Sequence, residues 1–133
     1  MRFVIFAMAL IAGTAQAQAV MAQNVPVEVS KLAGQQIKLH VYPFLTELDL
    51  KTLRLVATNK QALQLFITTK GYSAIAVAPD EGFAPGGAPA PSAVALGDFA
   101  DAATAATEAA KACDAKRKGK QPCVVVLEVG PAS

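Results

Sequence analysis

Apolar positions change period several times along the chain, and each change marks an element. From Asn24 to Ser30, Val25, Val27 and Val29 share one parity with Glu28 opposite, the two-residue period of a strand. Pro26 confines that strand to a sheet edge or an extended arm. After Gly34, Ile37, Leu39 and Val41 alternate with Lys38, His40 and Tyr42, giving a second strand that ends at Pro43. Helical spacing follows. Thr46 and Asp49 are both N-cap residue types, and Leu50, Leu53, Val56 and Ala57 recur on one helical face. Thr58-Asn59 interrupts, and Ala62, Leu63 and Phe66 resume the pattern, which fits two short helices or one broken helix.

Gly71 marks a turn before a third strand, Tyr72 to Pro79, with Ile75 and Val77 on one face and Ala74, Ala76 and Ala78 on the other. A face of small residues lets a helix approach closely. Residues 79–92 carry Pro79, Gly82, Pro85, Gly86, Gly87, Pro89 and Pro91, punctuation that predicts an exposed loop. A short extended piece, Ala93 to Leu96, returns beside the preceding strand. Asp98 is then placed to cap a helix from about Phe99 to Ala115, dominated by alanine, the best helix former, with Asp101 in its first turn. Gly119 is placed to end it. Pro122 precedes a last strand, Cys123 to Val129, whose run Val124-Val125-Val126-Leu127 suggests cover on both faces. These elements predict an α+β fold: a small mixed or antiparallel sheet packed against a long Ala-rich helix, with one or two short helices in the N-terminal half.

The first residues break this pattern in a different way. Arg2 precedes the unbroken apolar run Phe3 to Ala12, and A-x-A sites follow at Ala15-Gln16-Ala17 and Ala17-Gln18-Ala19. This is the tripartite pattern of a secretory signal peptide, covering 1–19 with the cut between 17 and 22. Gln16 and Gln18 interrupt any extension to the roughly 20 apolar residues that a membrane span needs. The expectation is a periplasmic or secreted domain, 20–133, with no stable membrane anchor after cleavage. The whole chain of 133 residues is 53% hydrophobic with a net charge of +2, which excludes a disordered chain and gives no basis for nucleic acid as a partner. Alanine supplies 28 of those residues and tryptophan none, so Leu, Val and Ile must build the core.

Composition matters most at the two cysteines, Cys113 and Cys123. An even count in an exported chain favours a disulfide, and closing a loop of about 11 residues is worth roughly 2.5–3 kcal/mol in the chain-entropy model. Nine residues lie between them, which does not match the C-x-x-C of a redox pair. With His40 the only histidine and far off in sequence, the four ligands of a structural zinc site are not in view, and no metal is expected. The bond would tie the end of the alanine helix to the first residue of the strand after it.

Three features in order, Tyr72-Ser73-Ala74-Ile75-Ala76-Val77-Ala78-Pro79, the Ala-rich helix ending Ala112-Cys113, and Cys123-Val124-Val125-Val126, resemble a recurring type of small exported bacterial domain of unknown function, over residues 71–131. The resemblance implies secretion, a helix held against a small sheet, and pairing of those two cysteines. Some short exported chains similar to this one go under the name 5-aminolevulinate synthase. That pyridoxal-phosphate chemistry needs a Schiff-base lysine in a cofactor pocket with an acidic partner for the pyridinium nitrogen; no motif here marks one, and no cofactor is expected.

Candidate chemistry is sparse. Lys116, Arg117, Lys118 and Lys120 form a basic run that is either an anion-binding site or the cationic complement of a helix C-terminus. His40 is the only side chain that titrates near neutrality without perturbation. Gly86-Gly87 lacks the Gly-Lys-Ser/Thr of a phosphate cradle, and Asp80-Glu81 is too short for a calcium loop. Two functions remain in view. One is a non-catalytic, envelope-associated binding domain, meeting an unknown protein or an anionic envelope ligand through the 79–92 loop or the basic run. The other is a small periplasmic hydrolase using His40 with Asp80 or Glu81.

Overall fold

The computed structural model describes residues 25–67 and 70–132, so the expected signal peptide lies outside the described residues. Its first feature is a tight hairpin. Strands β1 (Val27–Leu32) and β2 (Gln35–His40) pair antiparallel from Leu32↔Gln35 to Val27↔His40. Ala33 and Gly34 alone connect them, with φ of 54° and 79°, the doubly positive geometry of a type I′ turn. Glycine adopts it freely, whereas at Ala33 the β-carbon crowds the following carbonyl.

Helix α1 (Glu47–Thr58) is capped by Thr46, whose hydroxyl accepts from the Asp49 amide at 3.0 Å while Asp49 accepts from the Thr46 amide at 3.2 Å. This is a reciprocal capping box with Asp in the usual Glu position. Asn59 then stops α1 and caps α2 (Lys60–Phe66) through its side chain, so the interrupted pattern resolves into two helices. Strand β3 (Tyr72–Val77), strand β4 (Val94–Phe99), helix α3 (Ala102–Lys116) and strand β5 (Val124–Pro131) follow among the described residues, with one short 3-10 turn at Pro85–Gly87 between β3 and β4. The fold is α+β, with a five-stranded sheet in the order β1-β2-β5-β3-β4 and every neighbouring pair antiparallel.

The parity of β3 sorts the helices onto opposite faces. Ile75 and Val77 join Ile37, Leu39, Leu127 and Val129 beneath α1 and α2, where Leu53, Val56 and Leu63 are buried. Ala74, Ala76 and Ala78 face Ala105, Ala109 and Cys113 of α3. The centre of this second core is alanine against alanine, with Val94, Cys113 and Cys123 also buried and Tyr72, Leu96, Phe99 and Val125 packed at its margin, so helix and sheet backbones approach closely at the centre. Strand β5 lies between β2 and β3, and its apolar run reaches both cores, with Val126 and Leu127 buried on one side and half-buried Val125 on the other. A register shift opposite Ile75/Ala76 adds one residue to β5, and this bulge turns both Val126 and Leu127 into the core under α1 and α2.

Two expectations need correction. Helix α3 starts at Ala102 with Asp101 as its N-cap, accepting from the Thr104 amide at 2.7 Å; Asp98 does not cap it. The strand claims the intervening residues, because Phe99 pairs with Tyr72 at the far end of β4. The 79–92 segment is not exposed throughout either. Phe83, Ala84, Ala90 and Ser92 are buried, with Phe83 packed 5.9 Å from the Phe66 ring centroid and Ala84 donating its amide to the buried Asp49 carboxylate at 2.8 Å. Asp80, Pro91 and the tip at 85–89 stand in solvent. One phenylalanine supplies the reason: burying it is worth about 1.5–3 kcal/mol, enough to draw a glycine-rich segment inward.

The hairpin gives a direct test. Ala33→Asn relieves the left-handed strain at a turn that favours Asn-Gly, and should stabilise the chain by roughly 0.5–1 kcal/mol, read as a raised midpoint in urea denaturation.

Candidate functional site

Helix α3 lies over β3, β4 and β5, leaving the β1–β2 half of that sheet face bare among the described residues. Parity decides what is displayed there. Cross-strand partners share a face, so the register places Val27, Val29 and Lys31 of β1 alongside His40, Lys38 and Gln36 of β2. Lys38 in turn sits opposite Glu128 of β5. Where this bare half meets the start of α3, a cleft of about 150 Å³ opens, lined by Gln36, Lys38, Tyr72, Glu128, Gly130 and Ala102. Its floor depends on Gly130, because a β-carbon there would come within 2.5 Å of the Tyr72 ring.

Glu128 anchors the polar end of this surface. His40 donates from Nε2 to its carboxylate at 2.6 Å, and the two side chains are 23% and 29% exposed. The hydrogen bond from His40 holds the Glu128 carboxyl below the ordinary carboxylate range; burial opposes it, and the charges of His40 and Lys38 add to it. Nearby, burial and the Glu128 charge raise the Tyr42 phenol. The result is an imidazole, an ammonium and a carboxylate on rigid strands beside a small cleft. Sequence reasoning placed His40 on a polar face and missed its partner. The signal was present, for Glu128 is the one charged residue within the apolar run of the last strand.

The carboxylates proposed to serve His40 are engaged elsewhere. Asp80 accepts from the amides of Lys120 and Gln121 at 3.1 and 3.3 Å. Glu81 accepts from the amides of Lys118 and Gly119 at 2.7 and 3.2 Å and from the Ser92 hydroxyl at 2.6 Å. Asp114 accepts from the Cys123 amide at 2.9 Å and from Arg117 Nε at 2.7 Å, and Arg117 also donates to the Gly119 carbonyl at 2.6 Å. Gly119 is required here by proximity rather than by conformation, since a β-carbon would collide with Asp80. The 117–121 turn is thus an anion cradle already filled from within: its amides hold two carboxylates of the same chain.

This arrangement changes the standing of the basic run. Arg117 is committed to the turn, while Lys116, Lys118 and Lys120 keep exposed side chains. Four cations are set against Asp80, Glu81 and Asp114, so little net charge remains to draw an anion from a distance. Beside the turn, Cys113 and Cys123 are joined by a disulfide, their Cα atoms 6.0 Å apart and both residues buried. Bond and turn together fix the end of α3 to the start of β5.

Among the described residues, no helix is long and apolar enough to cross a membrane, and no group of three or more His, Cys, Asp or Glu side chains is placed to hold a metal. Fold and site together define a disulfide-stapled α+β domain with one half-face of its sheet displayed. No protein-family model, curated protein or solved structure matches the chain.

The turn carries a pH dependence with a definite sign. Hydrogen bonds from Ser92 and the Lys118 amide lower the Glu81 pKa, and those from the Cys123 amide and Arg117 lower that of Asp114. Both folded-state values lie below the unfolded ones, so their stabilisation is complete above the ordinary carboxylate range and fades as pH falls through the lowered values. Glu81→Gln should therefore melt below wild type at neutral pH, with the gap narrowing in acid, as followed by circular dichroism.

Proposed function

We propose that this chain is an exported, non-catalytic binding domain of the cell envelope, and that it meets its partner on the half-face of the sheet that α3 leaves bare. The observation that carries this reading is the cleft at the border of that half-face. Lys38, Glu128, Gln36 and Tyr72 present both charges and neutral hydrogen-bonding groups around one small hollow, with exposed Val27 and Val29 beside it. Mixed polar groups next to an apolar stripe suit a protein or peptide better than a simple anion. The filled 117–121 turn supports the same reading, because the chain's own carboxylates occupy its amides and the bare half-face is left as the displayed polar surface. Export is supported by the signal-peptide pattern and by the disulfide, which persists in oxidising compartments.

One observation favours a second reading. The His40–Glu128 pair is a base oriented by a carboxylate, as a general-base mechanism requires. A hydrolase of this kind would lose turnover in His40→Ala.

A photo-reactive side chain placed at Lys38 tests the first reading in the native compartment. A discrete adduct from position 38, with none from Lys111 on the outer side of α3, is the expected result. Free chain alone at both positions, or a turnover abolished by His40→Ala with the melting temperature unchanged, would count against it.

A further inference from the structure

Strand β1 forms one edge of the sheet, and its backbone phase follows from the hairpin. Antiparallel neighbours bond at every second residue, and Val41 donates its amide to the Pro26 carbonyl at 2.8 Å. Pro26, Glu28, Ser30 and Leu32 therefore turn their peptide groups toward β2, and Val27, Val29 and Lys31 turn theirs outward. Pro26, the residue that would ordinarily block an edge, spends its missing N–H on the β2 side. The outward row keeps three donors and three acceptors, and among the described residues no strand pairs with it. Its side chains lie on the bare half-face, with Val27 45% and Val29 56% exposed.

We propose that this edge pairs with a second copy of the same chain, antiparallel about a two-fold axis through Val29. The outward residues are symmetric about Val29. In this register Val29 bonds reciprocally with its own copy, and Val27 bonds with the copy's Lys31, a ladder of about six main-chain hydrogen bonds that leaves no outward group unpaired. Sliding the register one step either way strands an outward residue at each end. One of those slips also sets Glu28 opposite its own copy, like charges face to face.

The side chains agree with the central register. Glu28, already held by Arg54 through bonds of 2.7 and 3.1 Å, faces the copy's Ser30. Lys31 lies across from the copy's Val27 and in the same row as the copy's His40, which Val27 partners and which holds Glu128. The lysine stem thus covers valine. Four exposed valines meet at the axis, and the two bare half-faces become one continuous surface carrying two clefts. The pairing does not depend on what that surface binds. An interface of one strand pair is small, so association is of the reversible class, dependent on concentration.

Sedimentation velocity on the disulfide-bonded chain over a rising concentration series tests the proposal. The mass should climb from one chain toward two. Val29→Lys and Val29→Glu should each stay at the mass of one chain, with circular dichroism unchanged, and mixing the two should restore the dimer. Val29→Pro, which removes an outward N–H that β2 does not use, should also remain single. A wild-type chain that stays single throughout the series, or charged variants that self-associate as wild type does, would overturn it.

Discussion

The contact between two alanine faces sets the terms for the rest of this structure. Ala74 and Ala76 on β3, with Ala78 just beyond it, meet Ala105 and Ala109 on α3, all buried. Side chains this short bring the helix close but give little apolar area, and burial is worth about 25 cal/mol per Å². A helix so attached needs further constraint, and the chain supplies it at one end. Cys113–Cys123 joins α3 to β5, while Asp80, Glu81 and Asp114 bind the amides of the segment between them. The two devices act on different states: the covalent bond limits the unfolded chain, and the carboxylates stabilise the folded turn.

The opposite face works by ordinary means. Leucine, isoleucine and valine from three strands and two helices fill it, and the buried Asp49 ties α1 to the 79–92 segment by accepting from Ala84. The sheet is therefore firmly held on one face throughout and on the other face only over β3, β4 and β5. The polar residues with unspent chemistry collect on the remainder. Rigid strands rather than loops carry His40, Lys38 and Glu128, which favours a fixed recognition surface over one that must order itself on binding.

Much of this fold was legible in the chain because its signals were local. Parity in Tyr72–Val77 separated an alanine face from a branched face, and the two faces do meet different helices. The unbroken valines of the last strand marked it as covered on both sides, and the strand does pack into both cores, through Val126 and Leu127 on one side and Val125 on the other. The misjudged positions are those decided by distant residues. Asp98 and Asp101 are both good caps, and the pairing of Phe99 with Tyr72 chose between them. Phe83 lay among prolines and glycines, and its burial depends on Phe66. At the candidate site the failure has the same origin: His40 and Glu128 stand 88 residues apart, and only the β2–β5 register brings them together.

Hydrogen exchange of the α3 amides, measured with the Cys113–Cys123 bond intact and then reduced, bears most directly on the claim that a staple compensates for a thin core. If the bond contributes roughly 2.5–3 kcal/mol, reduction should speed exchange of the slowest α3 amides about a hundredfold. Equal protection in both forms would contradict the account, because the alanine contact would then suffice alone.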